Sequence, residues 1–131
     1  GPFITAQEVL PYMKKQKEGK IIFISSIAGS LGSTRAAHYA SSKGALDTLT
    51  RSLAKLSAPD GIYVNTIAPC YIETDMIEEL LKQKREQILQ QIPLKRIGKP
   101  EDIAEVAFFL ATRASYMTGQ VIFVDGGASL G

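Results

Sequence analysis

Three short apolar runs do most to limit what this chain can fold into: "KIIFIS" at 20–25, "IYVNTIAP" at 62–69 and "QVIFVDGG" at 120–127. None shows the strict alternation of a strand with one wet face. Unbroken runs of this length, rich in isoleucine and valine, are typical of strands covered on both faces in a parallel sheet. Parallel neighbours cannot be joined by a hairpin and need long crossovers, usually helical. The segments between the runs are long enough to supply them.

Phe3, Ile4, Ala6, Val9, Leu10 and Met13 recur at helical spacing and predict a helix over 3–17. Thr5 and Glu8 are spaced as a capping box, and Gly19 reads as the stop. A second helical pattern runs from about 37 to 56 and ends at "APDG". Residues 73–91 are charged and glutamine-rich and predict an exposed helix. Residues 101–112 predict another, with Pro100 suited to its first turn. "SIAGSLGSTRA" and "PLKRIGKP" read as loops. The order α-β-α-β-α-α-β is that of an α/β sheet with right-handed crossovers, one unit over 1–131 without repeat or linker. Three parallel strands leave a long apolar edge uncovered, which is a liability, so the pattern is that of part of a larger sheet.

Composition removes several functional classes. A net charge of +2 is too small to argue for nucleic acid, and the densest basic run, "KKQK" at 14–17, reads as a solvated helix end. No apolar run approaches the ~20 residues that span a bilayer, and no secretory pattern opens the chain. The single cysteine, Cys70, can neither form an internal disulfide nor build a metal site alone. These features predict a cytoplasmic protein with no metal. The opening "GP" reads equally as a cleavage scar or as native sequence.

Chemistry enters at "HYASSKGAL", 38–46. Tyr39 and Lys43 are four apart and share a helix face. A free tyrosine, with a pKa near ~10, is a poor proton donor or acceptor at neutral pH. An ammonium beside such a group favours the phenolate and lowers that pKa, which fits it for proton exchange with a substrate oxygen. Ser25 and Ser26 end the first strand, and ligands of open α/β sheets bind beyond the carboxyl ends of strands. Neighbours in a strand point to opposite faces, so one of the two serines can face the tyrosine. Hydroxyls and an ammonium around one oxygen suit interconversion of a carbonyl and an alcohol. His38 reads as an ordinary helix residue, and Cys70 as a structural residue with a reactive thiol as the alternative.

The motifs "IIFISSIAG", "YASSK", "VNTIAPCYIETDM", "RIGKPEDIAEVAFFLA" and "YMTGQVIFVDGG" together resemble the C-terminal half of a classical short-chain dehydrogenase/reductase. Among its subfamilies the chain is most similar to 3-oxoacyl-[acyl-carrier-protein] reductases. The resemblance implies three strands of a Rossmann-like doubly wound sheet. It implies Ser26 polarising the substrate carbonyl, Tyr39 as general acid in reduction, and Lys43 binding the nicotinamide ribose. It places Pro69, Ile72 and Thr74 along the nicotinamide, with the Ile72 backbone meeting the carboxamide. Residues 73–91 would be a mobile segment over the substrate. Asn65 would be the family's buried asparagine, and Asp125-Gly126-Gly127 a closing turn. Cys70 departs from the family's usual glycine, which would crowd the nicotinamide or change the turn.

The resemblance also implies what the chain does not carry. The glycine-rich pyrophosphate turn and the residue that sorts NAD from NADP have no counterpart here, and the tetrad asparagine would fall before Gly1. "GSLGS" at 29–33 follows the serine and reads as a substrate-side loop. The expectation is a ketone reductase using NADP or NAD, with NADP favoured, inactive as this stretch alone and tetrameric at full length. Its substrate would be a small or acyl-carrier-linked carbonyl compound, without nucleic-acid or membrane partners. The alternatives are a non-catalytic module that associates through the family's oligomer helices, and a sugar, polyol or steroid alcohol dehydrogenase.

Overall fold

The computed structural model describes all residues from 1 to 131. Eight regular elements follow one another: α1 (Pro2–Gln16), β1 (Gly19–Ile24), α2 (Ile27–Leu31), α3 (Ala37–Ser57), β2 (Ile62–Pro69), α4 (Glu78–Gln91), α5 (Pro100–Thr112) and β3 (Val121–Val124). The strands form one parallel sheet in the order β1-β2-β3. Ile21 pairs with Val64, and Ile67 with Ile122, so the register carries straight across.

Helices cover both faces, as in a doubly wound sheet. On one face Ala6 of α1 and Leu46, Leu53 and Ala54 of α3 pack on Phe23, Ile62 and Val64. On the other, Leu110 and the half-buried Ile103, Val106 and Ala107 of α5 pack with Ala114 around Ile67 and Ile122. β2 explains the split: Ile62, Val64 and Thr66 face α3, while Asn65 and Ile67 face the α5 side, the two-residue period of a strand. Thr66 is fully buried and meets the Thr50 hydroxyl of α3 at 2.5 Å, and Thr50 also donates to the Leu46 carbonyl at 2.9 Å. Asn65 spends its amide within the fold, donating to the Met117 carbonyl and accepting from the Gln120 N–H.

Only β2 is buried on both faces almost throughout, with Tyr63 alone half-buried. β1 and β3 are largely half-buried, and Ile24 and Phe123 are exposed, because each is an edge strand of this sheet. β3 is also shorter than the run at 120–127, since Asp125, Gly126 and Gly127 already form the turn. Gly126 and Gly127 both adopt positive φ there, where a side chain would be strained.

Four local expectations are corrected. α1 starts at Pro2, and Thr5 donates to the Gly1 carbonyl rather than capping a later start. Lys17, left-handed at φ 57°, terminates α1, while Gly19 opens β1 and lets the Met13 side chain lie against it. The loop after β1 contains the helical turn α2, nucleated by Ser26, whose Oγ accepts the Ala28 N–H at 3.2 Å. The helix expected over 73–91 starts only at Glu78, after a tight turn at Asp75–Ile77, and bends at Lys84. No helix is long and apolar enough to cross a membrane.

Candidate active site

The first turn of α3 carries Tyr39, and the second carries Lys43. Tyr39 is 43% exposed, so its phenol is open to a ligand. The Lys43 ammonium lies 5.6 Å from the centre of the Tyr39 ring and donates to the Ile24 carbonyl at 2.9 Å. One of its three protons is thereby used and two remain. The lysine stem is thus held between the end of β1 and the tyrosine ring.

The two serines part company. Ser25 is 4% exposed, and its hydroxyl donates to the Lys43 carbonyl at 3.2 Å, tying β1 to α3. Ser26 is half-buried and caps α2 as an acceptor. A hydroxyl that accepts an N–H keeps its own proton free to donate. Of the pair, Ser26 is the one whose proton no protein group has taken. His38 is exposed and has no side-chain hydrogen bond or ion pair.

Pro69 is buried at the end of β2. Ile72 follows in a single parallel bridge to Gly98, in which the Gly98 N–H bonds to the Tyr71 carbonyl and the Glu73 N–H to the Gly98 carbonyl. That pattern leaves the N–H and C=O of Ile72 itself without partners. An adjacent free donor and acceptor on one backbone fit a ligand carboxamide, which needs one of each. Thr74 is exposed and precedes the turn at Asp75–Ile77, its side chain making no cap bond.

Cys70 does not adopt a left-handed conformation, so this turn proceeds without the glycine that the resemblance leads one to expect. Burial, aided by the Asp125 charge, pushes its thiol above the ordinary value, and this outweighs the Tyr71 N–H. A thiol held neutral is a poor nucleophile.

A cleft of about 520 Å³ opens beside Ile72, between Tyr71, Pro93, Leu94, Phe123 and Asp125. Ser26, Tyr39 and Lys43 lie outside it. Its wall is braced by a pair that sequence reading missed. Arg96 grips Asp102 with two bonds of 2.6 and 2.9 Å, and Asp102 also accepts the Lys99 N–H at the start of α5. The Arg96 guanidinium, and next the Lys99 N–H, hold the Asp102 carboxyl well below the usual carboxylate range. The available signal was an aspartate three residues after a helix-starting lysine and six after an arginine. For Asp125, burial alone would raise the carboxyl. Bonds from Ser129 and Gly127 outweigh it and leave the group below its ordinary value.

A parallel three-stranded unit wrapped by helices on both faces defines an α/β protein of the doubly wound type. Residues 1–129 match the family model described as enoyl-(acyl carrier protein) reductase. The 3-oxoacyl-[acyl-carrier-protein] reductase FabG of Thermotoga maritima is 47% identical over 97% of this chain and 52% of its own length. A short-chain dehydrogenase/reductase from Mycobacterium ulcerans superposes with a TM-score of 0.95 at 32% identity, over 98% of this chain and 48% of that one. A gluconate 5-dehydrogenase from Burkholderia cenocepacia, solved with NADP and tartrate, gives 0.95 at 33% identity, over 99% and 52%. The chain belongs to the short-chain dehydrogenase/reductase family. It spans about half the length of the curated relatives it matches, corresponding to their C-terminal half.

Proposed function

We propose that this chain forms the catalytic and substrate-binding half of a nicotinamide-dependent oxidoreductase that reduces a ketone, with a 3-oxoacyl thioester as the leading substrate class. The observation that carries the reading is the Tyr39 phenol beside the Lys43 ammonium, on the α3 turns that Ser25 ties to the end of β1. Similarity to FabG proteins at 47 and 44% identity supports the substrate class.

Ser26, its proton free, donates to the substrate carbonyl oxygen and polarises it. The nicotinamide, when bound, supplies a hydride to the carbonyl carbon. Tyr39 gives its phenolic proton to the oxygen, completing the alcohol, and works as the base in the reverse direction. The Lys43 ammonium stands 5.6 Å from the centre of the Tyr39 ring and adds a positive charge beside it. The two spare protons of Lys43 suit ribose hydroxyls, and the free Ile72 N–H and C=O suit the carboxamide. Pro69 and Thr74 complete that side. NADP is favoured over NAD because structural relatives were solved with it. The exposed Phe3, Ile4 and Tyr12 of α1 support association of copies, as a tetramer at natural length.

The test is Tyr39→Phe in the protein at its natural length, assayed as NADPH oxidation on an acetoacetyl thioester. Turnover falls by about 10²–10⁴-fold, the usual range for removing a positioned proton donor. Undiminished turnover overturns the assignment. A second reading, oxidation of a sugar acid or polyol, draws on the likeness to gluconate 5-dehydrogenases. Reduction of NADP+ by gluconate, faster than oxidation of NADPH by the thioester, would select it.

A further inference from the structure

The turn that carries Ser26 is joined to the helix that carries Tyr39 at three points. The first is the Ser25 hydroxyl on the Lys43 carbonyl, 3.2 Å. The second is a close approach of two glycines. A Cβ on Gly29 would stand 2.8 Å from the Lys43 carbonyl carbon and 2.9 Å from the Gly44 nitrogen, and one on Gly44 would stand 2.9 Å from the Gly29 oxygen. The third is the Ser30 hydroxyl, which donates to Asp47 Oδ2 at 3.3 Å.

The third contact has no simple stabilising rationale. Asp47 is 3% exposed, it forms no ion pair with a cation, and its other oxygen, Oδ1, has no partner. A buried carboxylate met by one hydroxyl is a costly way to join two helices, and an apolar residue of similar volume would serve stability better. What the carboxylate adds is direction. The glycine contact sets how near α2 comes to α3 but does little to stop it sliding or turning. A hydrogen bond at Ser30, the far end of α2 from Ser26, fixes that remaining freedom.

We propose that Asp47 is a positioning residue: through Ser30 it fixes α2, and with it the Ser26 hydroxyl, relative to the Tyr39–Lys43 face of α3. Asp47 touches no reacting atom. It continues the stripe of Tyr39 and Lys43 one turn further along α3. The inference rests on the reductase reading, in which Ser26 and Tyr39 address one carbonyl oxygen.

The experiment uses the protein at its natural length. Asp47→Leu keeps the branched four-atom side chain and removes the acceptor, Asp47→Asn keeps an acceptor, and Ser30→Ala removes the donor. Ser26→Ala and Tyr39→Phe serve as controls. Asp47→Leu and Ser30→Ala should each lower kcat by about tenfold, the scale of a small misplacement of a catalytic group, with KM for the dinucleotide unchanged. The double variant should lose no more than either single one, and Asp47→Asn should retain most of kcat. If Asp47→Leu fails to fold, Ser30→Ala, altered at an exposed position, carries the same test. A lower melting temperature with kcat intact would make the contact structural only and overturn the proposal. So would an Asn variant as impaired as the Leu variant. Full turnover in both controls would instead sink the reductase reading, and the proposal with it.

Discussion

Ser26, Tyr39 and Lys43 sit where β1, α2 and α3 are bonded to one another over the main core, whereas residues 71–97 lean on a small cluster of their own. That cluster is Leu81, Ile88, Ile92 and Ile97. The core beneath α3 contains seven buried residues drawn from four elements. The difference shows how one chain divides its tasks. The three groups proposed to act on one carbonyl oxygen stand on elements joined by the Ser25 bond and the close Gly29–Gly44 approach. The segment expected to cover the substrate is tied by backbone at its ends, through the Ile72–Gly98 bridge and the Leu94 N–H on the Gly126 carbonyl, and between them rests on that four-residue cluster, with α4 departing from helical geometry at Lys84.

The contrast can be broken most directly by truncating one residue in each region. Leu53→Ala should cost about 2–5 kcal/mol of global stability, the range for a buried leucine, read as a shifted denaturant midpoint. Ile88→Ala should instead raise hydrogen exchange over 71–97 and leave the sheet amides protected. Equal, global effects from both would erase the distinction.

Gly29→Ala sharpens it on the pinned side. The added methyl meets backbone rather than a flexible side chain. Overpacking of this kind costs about 1–3 kcal/mol, more than the roughly 1 kcal/mol that alanine gains over glycine in a helix. A net loss in thermal melting is therefore expected, and a net gain would show that α2 can move away freely.

Acid gives the smallest effect. The folded carboxyl of Asp102 lies below its ordinary value near ~3.9. The Arg96–Asp102 contribution is therefore complete above about pH 4 and is withdrawn as pH falls below it. Asp102→Asn should flatten that limb of the stability–pH curve. In the parent protein, hydrogen exchange near 96–102 should rise before that of β2.

Much of the architecture was readable in advance because parallel strands and amphipathic helices write long periodic signals. "IYVNTIAP" became a strand buried almost throughout, and the Tyr39–Lys43 interval became one helix face. What escaped depends on single tertiary partners. α2 is five residues long within a glycine- and serine-rich stretch, too short for periodicity, although a serine before "IAGSL" is a legible cap signal. The Arg96–Asp102 grip and the Ser30–Asp47 bond join residues that no period relates. Asp47 did leave a trace, an acid set among Leu46, Thr50, Leu53 and Ala54 on the buried side of α3. The edge strands were expected to be as dry as β2, but two of the three strands have a neighbour on one side only.

Thr50 and Thr66 look interchangeable where their hydroxyls meet, yet the bond between them has a polarity. Each hydroxyl owns one proton, and Thr50 sends its own to the Leu46 carbonyl. The proton between the two oxygens must therefore belong to Thr66. Valine in place of Thr66 leaves Thr50 with its own bond intact. Valine in place of Thr50 strands a donor at a fully buried site, a penalty of about 1–3 kcal/mol. Two substitutions identical in shape thus differ in consequence through the ownership of one hydrogen, and α3 is the partner that has to keep its threonine.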